Sequence, residues 1–380
     1  MTRDPTVLPE PRGPIPVLVP TLPETEALIP YLRRIDASNW YSNQGPLWRE
    51  FRDAFTARLA ARSGAGNVQV TFTANGTTAI ELALRCRALP DRRYCLMPSY
   101  TFIASAHAVC NAGLTPYLTD VDPYSMVITP EIAEQALRQL PQQPAAVLVI
   151  SAFGAPPDVP AWQNFEHTHG IPVVFDAAAA AASLTAVSGQ PLAVSLHATK
   201  VLGIGEGGAV VSTDAALIER VTAMSGFGYL GETRESIIRG GNYRISEYAA
   251  AVGLAALAGL EDKIARLREV VMQYRERLEN SPMRLQNGAG EHWVTMTLNV
   301  IVPGQRVPAA LARFDRTGVQ WRRWWGLGCH THPAFESLPR LDLEITRDLA
   351  PRVIGVPCHT RLDEAQVATV CDCLLETCRE

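Results

Sequence analysis

Between residues 68 and 177, short unbroken apolar runs alternate with stretches of helical period. VQVTFT (68–73), YCLMP (94–98), TPYLTDV (115–121), AAVLVIS (145–151) and IPVVFDA (171–177) read as strands. Helices are predicted between them, over 78–89, near 101–112, over 130–140 and near 158–169. A strand with one wet face alternates apolar and polar residues. These do not alternate, so both faces of each are expected to be covered. Strand, helix, strand, helix in this style is the pattern of an α/β fold with a mostly parallel central sheet under helices on both sides. In such a sheet, ligands gather at the carboxyl ends of the strands.

After residue 190 the rhythm changes. PLAVSLHATK reads as a short strand ending in a polar turn, and GEGGAVVST as a glycine turn feeding another strand. The direction of their pairing stays open. LWREFRDAFTARLAAR (47–62), ISEYAAAVGLAALAGL (245–260) and EDKIARLREVVMQYRERLEN (261–280) have helical period. Residues 281–380 read as a smaller α+β unit, with a strand over 292–302, a helix over 307–317 and a last helix from about Asp363. The expected division is a large domain, 1–250, opening with a proline-rich extended arm over 1–30, and a small domain, 251–380. The alanine run 177–182 is expected as a tightly packed helix.

With 47% hydrophobic and 19% charged residues in 380, the chain has a core to bury and is not a disordered composition. A net charge of -4 without a basic run speaks against nucleic acid. No stretch approaches the ~18 apolar residues that cross a membrane, and prolines break the N-terminus where a secretion signal would be apolar. A soluble cytoplasmic protein is expected. The eight cysteines include no CxxC and are expected to be reduced and partly buried.

Four features on this framework carry chemistry. Lys200, in SLHATKVLGIGEGG, is flanked by His197, Thr199, glycines and apolar residues. Burial disfavours the charged form of a lysine and makes it an amine nucleophile; a plain loop lysine is the alternative. Asp176 ends the strand IPVVFDA, where a carboxylate is costly unless a cation meets it; capping of the alanine run is the other reading. Asn75-Gly76-Thr77-Thr78 joins a strand to a helix, with Thr77 as the expected cap. A helix N-terminus offers free amides and a positive dipole end to a phosphate. The turn is neither a Walker loop nor GxGxxG, and an ordinary capped turn is its alternative. Phe102, in PSYTFIAS, follows the next strand, and its ring can stack on a flat ligand or pack in the core. Together the four ask for one ligand with a phosphate, a planar ring, a basic ring nitrogen and a carbonyl. Pyridoxal 5′-phosphate (PLP) has all four, and a lysine Schiff base with an Asp at the pyridinium nitrogen is its usual setting.

The blocks WYSNQGP (40–46), NGTTAIELAL (75–84), MPSYTFIASAHAV (97–109), TPYLTDVDP (115–123), SLHATKVLGIGEGGAVV (195–211) and GGNYRISEYAA (240–250) extend that reading. Through them the sequence resembles the DegT-type sugar aminotransferases, fold type I PLP enzymes acting on nucleotide-linked keto-sugars. The resemblance implies that Lys200 holds the cofactor covalently, that Asp176 is the pyridinium partner and that Phe102 stacks on the ring. It implies that the turn of Gly76, Thr77 and Thr78, together with Ser195, holds the phosphate. It places Asn242 at the phosphate of a neighbouring subunit, hence a homodimer with shared sites, and it suggests glutamate as amino donor. Family members that carry histidine in place of the lysine are dehydratases; Lys200 favours transamination. One departure stands out. The family usually has Gln or His three residues after the Asp, touching the ring hydroxyl, and here that residue is Ala179.

The expected acceptor is a dTDP-linked 4-keto-6-deoxyhexose of an O-antigen or other surface-glycan route, with a 3-keto-sugar as the alternative. Trp40, Tyr41 and the cluster Trp321, Arg322, Arg323, Trp324 and Trp325 can stack a base or meet a diphosphate, or pack within the small domain with snorkelled arginines. Two rivals remain. Cys329, His330, His332, Cys358 and His359 are ligand-type residues without paired zinc spacing, and no metal is expected. A non-catalytic regulatory protein on the same fold is the second.

Overall fold

The computed structural model describes residues 13–230 and 234–378. Seven strands form the central sheet: β1 (Gln69–Thr73), β2 (Tyr94–Pro98), β3 (Thr115–Thr119), β4 (Ala146–Ile150), β5 (Val173–Asp176), β6 (Leu192–Ser195) and β7 (Gly208–Ser212). Their order is β1-β7-β6-β5-β4-β2-β3. Strands β3, β2, β4, β5 and β6 pair in parallel, whereas β7 runs antiparallel to β6 and to β1. The pairing left open by the sequence is therefore antiparallel.

Every strand residue from Ala146 to Ile150 is buried. Leu148 and Ile150 join one core with α3 (Gly76–Arg87), α4 (Ala104–Asn111) and α7 (Ala215–Ser225). Val147 and Val149 join another with α2 (Pro46–Ser63), α5 (Pro130–Leu137), α6 (Val159–His169) and α8 (Glu247–Ala258). That two-sided burial is the reason these strands lack alternation. Helix α7 is absent from the sequence reading, although Asp214, whose Oδ1 accepts the Leu217 N–H at 3.0 Å, is an ordinary helix-start signal.

A second, antiparallel sheet of order β10-β9-β8 is built from β8 (Arg284–Leu285), β9 (Asn299–Ile301) and β10 (Val353–Gly355). Helix α9 (Leu260–Leu278) leads into it, and α12 (Glu364–Leu375) packs on α9 and on α10 (Val307–Thr317). Asp363 starts α12 with a reciprocal capping box to Gln366, as the predicted last helix requires. Asp120 reaches across from the large sheet to accept N–H groups of Ile345 and Thr346 at the start of α11 (Glu344–Leu349).

Several expectations need correction. The arm over residues 1–12 lies outside the described residues. Residues 25–30 are not extended but open helix α1 (Thr25–Ser38), which carries Pro30 inside it. Burying Ile35 and packing on α8 outweighs the one backbone bond that Pro30 forgoes. The strand expected over 292–302 shrinks to Asn299–Ile301, because the Thr295 hydroxyl takes the Thr297 N–H at 2.9 Å and turns the chain. The alanine run is a turn, not a helix. No cysteine of the described residues is in a disulfide, and five are buried. Among the described residues no helix is long and apolar enough to cross a membrane.

Candidate active site

The carboxyl ends of β5 and β6 meet the start of α3 and the loop that follows β6. Asp176 is the last residue of β5, paired on one side with Ile150 and on the other with Ala193. It is only 6% exposed. Its Oδ2 accepts the Ser105 hydroxyl at 2.6 Å, and its Oδ1 accepts the Ala178 N–H at 3.1 Å. Ser105 is itself 2.9 Å from the Thr101 hydroxyl. With no helix after β5, helix capping is not the role of this carboxylate. Burial pushes its pKa above the ordinary carboxylate value; the Ser105 hydroxyl, the Ala178 amide and the Lys200 charge act the other way.

Lys200 lies in the loop between β6 and β7, where its N–H donates to the His197 carbonyl at 2.9 Å. Burial lowers its pKa from the usual lysine value, and the charge of Asp176 opposes that fall. An amine and a carboxylate with opposing burial shifts, each sensed by the other, are an arrangement that proton-transfer sites use. The His197 ring is 2.7 Å from the Thr199 hydroxyl through Nδ1 and 3.5 Å from Glu206 through Nε2, which pins the loop on both sides of Lys200.

Gly76 explains how the phosphate-type turn reaches this edge. A Cβ there would lie 2.7 Å from the Ser195 Cβ, so α3 presses its first turn onto the end of β6. A Cβ on Gly208 would run into the Asn75 carbonyl oxygen, so β7 closes the same turn from its side. The cap is Asn75, not Thr77: its Oδ1 accepts the Thr78 N–H at 2.9 Å. This leaves the Thr77 hydroxyl outside the cap, at the mouth of the helix. Thr78 is buried.

Phe102 is 55% exposed, so it is not the core residue of its alternative reading. It sits between Thr101 and Ser105, the two hydroxyls that lead to Asp176. Asn242 stands apart: its Oδ1 accepts two bonds from Arg244, at 3.2 and 2.7 Å, and its backbone bridges to Gly226. Ala179 presents a methyl group and places its carbonyl near Gly154. Ser105 and Asn75 were not assigned their bonds from sequence. Both lie in blocks already singled out, Ser105 three residues after Phe102, but a side-chain bond spanning 71 positions leaves no local trace.

The WWGLGCHTH segment docks on Ser99, Tyr100 and Phe153. Trp325 stacks on Phe153 at 3.8 Å and meets Tyr100 edge-on at 5.2 Å. His330 Nδ1 is 2.8 Å from the Ser99 hydroxyl. Trp321 donates to Asp315 at 3.1 Å, with Arg323 over its ring. Cys358 donates to the Thr295 carbonyl and His359 is bonded to the Pro16 carbonyl. Among the described residues no three His, Cys, Asp or Glu side chains converge as a metal-binding group.

Comparison with known proteins covers the whole of this architecture. A model of the DegT/DnrJ/EryC1/StrS aminotransferase family matches residues 23–375. Protein Rv3402c of Mycobacterium tuberculosis (strain ATCC 25618 / H37Rv) is 31% identical over 94% of this chain and 88% of its own length. A dTDP-4-amino-4,6-dideoxy-D-glucose transaminase of Shigella dysenteriae is 30% identical over 70% of this chain and 71% of its own. The crystal structure of DesI, determined in the presence of its TDP-sugar product, superposes with a TM-score of 0.84 at 30% identity, covering 97% of this chain and 94% of that one.

Proposed function

The chain belongs to the DegT/DnrJ/EryC1/StrS aminotransferase family, and on that premise we propose that it moves an amino group from glutamate to the keto carbon of a dTDP-linked 4-keto-6-deoxyhexose. Its cofactor is PLP. The residues fit that group. Close seating of Gly76 on Ser195 brings the first turn of α3, with its free N–H groups, to the end of β6, which suits a phosphate held by backbone. A buried carboxylate that senses a half-buried amine suits a ring nitrogen and an aldehyde. The Asp176–Lys200 pair at the edge of β5 and β6 is the observation that carries the reading.

PLP supplies the electron sink that takes up the pair left when a Cα–H bond breaks. The protein does the rest. Asp176, held by Ser105 and Ala178, would meet the ring nitrogen, where its carboxylate would favour the protonated nitrogen. Lys200 Nζ, once freed by the amino donor and with its charged form disfavoured by burial, would take the proton from Cα of glutamate as a general base. In the second half-reaction Lys200 returns a proton to the sugar carbon that receives the nitrogen. Glutamate leaves as its keto acid, and the sugar leaves with an amine where it had a ketone.

The same reading takes the enzyme as a cytoplasmic homodimer in which Asn242 reaches the phosphate of the other copy. Exposed rings at Trp40, Tyr41, Phe227 and Tyr229, two of them next to the Gly226–Asn242 bridge, support such a contact. The acceptor rests on the name of the Shigella relative and on the TDP-sugar of DesI. Gly76→Ala is expected to weaken PLP binding about tenfold, since Ser195 must move to admit the methyl group; fluorescence titration of apoprotein with PLP measures it. The main test is a two-step assay. Glutamate should bleach the visible cofactor band, and dTDP-4-keto-6-deoxyglucose should restore it about tenfold faster than 3-keto, GDP-linked or UDP-linked analogues. Fastest recovery with a 3-keto-sugar moves the ketone to C3. No bleaching by any amino acid supports a regulatory protein instead.

A further inference from the structure

The substituents of PLP dictate which side of the site each protein group must occupy. The ring nitrogen and the aldehyde carbon lie at opposite ends of one axis. The phosphate arm and the ring hydroxyl lie on opposite sides of it. In this protein Asp176 and Lys200 define the axis, and Gly76 with Ser195 places the phosphate on the β6 side of β5. The ring hydroxyl therefore falls toward β4, the other neighbour of β5. The Ala179 side chain has no polar atom to offer it.

Ser151 is the first residue beyond β4. Its N–H donates to the Asp176 carbonyl at 2.8 Å, so it sits at the level of the site. The residue is 4% exposed, and its Oγ is buried without a hydrogen-bond partner. A buried hydroxyl left unpaired is costly, and each such group calls for a partner. The turn that Ser151 opens folds back through Phe153, at φ 56°, and Gly154, at φ 112°. It ends against the alanine turn, where a Cβ on Gly154 would lie 3.1 Å from the Ala179 oxygen. Ser151 is thus the residue on the β4 side of Asp176, where the ring hydroxyl falls, and its hydroxyl is unpaired.

We infer that Ser151 Oγ is a cofactor-binding group that hydrogen-bonds the ring hydroxyl of PLP. It supplies the contact that Ala179 cannot. This rests on the PLP reading of Asp176, Lys200 and Ser195. A donor at that oxygen stabilises its anionic form, which competes with the nitrogen of bound Lys200 for a proton. The ionisable groups around the turn are Asp176 and Lys200, with Tyr100 edge-on to Phe153 at 6.3 Å and Arg323 beyond it.

The test is Ser151→Ala in the purified holoenzyme. The PLP dissociation constant should rise about tenfold. The pH midpoint of the visible band of the lysine-bound cofactor should rise by about one unit. The melting temperature of the apoprotein should not fall, since an unpaired hydroxyl is all that is removed. Adding Ala179→Gln to Ser151→Ala should bring both cofactor readouts back toward wild type. An unchanged dissociation constant and midpoint overturn the assignment. So does a fall in apoprotein melting temperature that Ala179→Gln fails to offset, which marks a packing role. Persistence of the lysine-bound band in Lys200→Ala overturns the PLP reading and the Ser151 assignment with it, and is told apart because it arises with Ser151 intact.

Discussion

Lys200→Ala is expected to lower turnover by about three orders of magnitude or more while cofactor binding stays measurable. The seating of Gly76 on Ser195 and the Asp176 carboxylate are untouched by this change, so the proposed noncovalent hold on PLP should remain. What disappears is the amine whose charged form burial disfavours, and with it the group proposed to take the Cα proton of the amino donor. Lys200→Arg should be as inactive, because a guanidinium stays protonated and cannot act as a base. Single-turnover absorbance with glutamate reads the chemical step directly. Near wild-type turnover in Lys200→Ala would remove this lysine from the mechanism.

Asp176→Ala is expected to cut PLP affinity about a hundredfold and turnover by about a thousandfold. The first figure follows from the loss of a charge-assisted hydrogen bond in a buried setting. The second follows because a ring nitrogen without its anion is not kept protonated and the electron sink weakens. The change also leaves the Ser105 hydroxyl and the Ala178 amide without their acceptor. Asp176→Asn separates these effects, since it keeps an acceptor for both donors while removing the charge. Its affinity should fall less than that of the alanine variant, and its turnover nearly as far. A normal visible spectrum and rate in Asp176→Ala would place this carboxylate outside the site.

Much of this was legible one segment at a time. The strand YCLMP and the helix VPAALARFDRT coincide with β2 and α10, because burial on both faces and a 3.6-residue period leave direct marks on composition. Lys200 and Asp176 stood out for the same local reason, as charges set among apolar residues. Errors came where two local signals competed. Pro30 argued for an extended arm, yet α1 forms around it because Ile35 is buried. Thr77 was the expected helix cap, yet the extended backbone of Asn75 and its bond to the Thr78 amide make Asn75 the cap. The alanine run has high helix propensity but turns instead, because Asp176 draws in the Ala178 amide.

From sequence alone came the alternation of elements, the two-sided burial of the strands and the presence of a lysine and an aspartate in unusual company. The antiparallel course of β7, the seating of Gly76 on Ser195, the Ser105 bond to Asp176 and the unpaired hydroxyl of Ser151 belong to the tertiary structure. The reason is physical. Periodicity records what environment a residue needs, since burial acts on each position separately. Which partner meets it depends on how the whole sheet packs, and that is a sum over residues far apart along the chain.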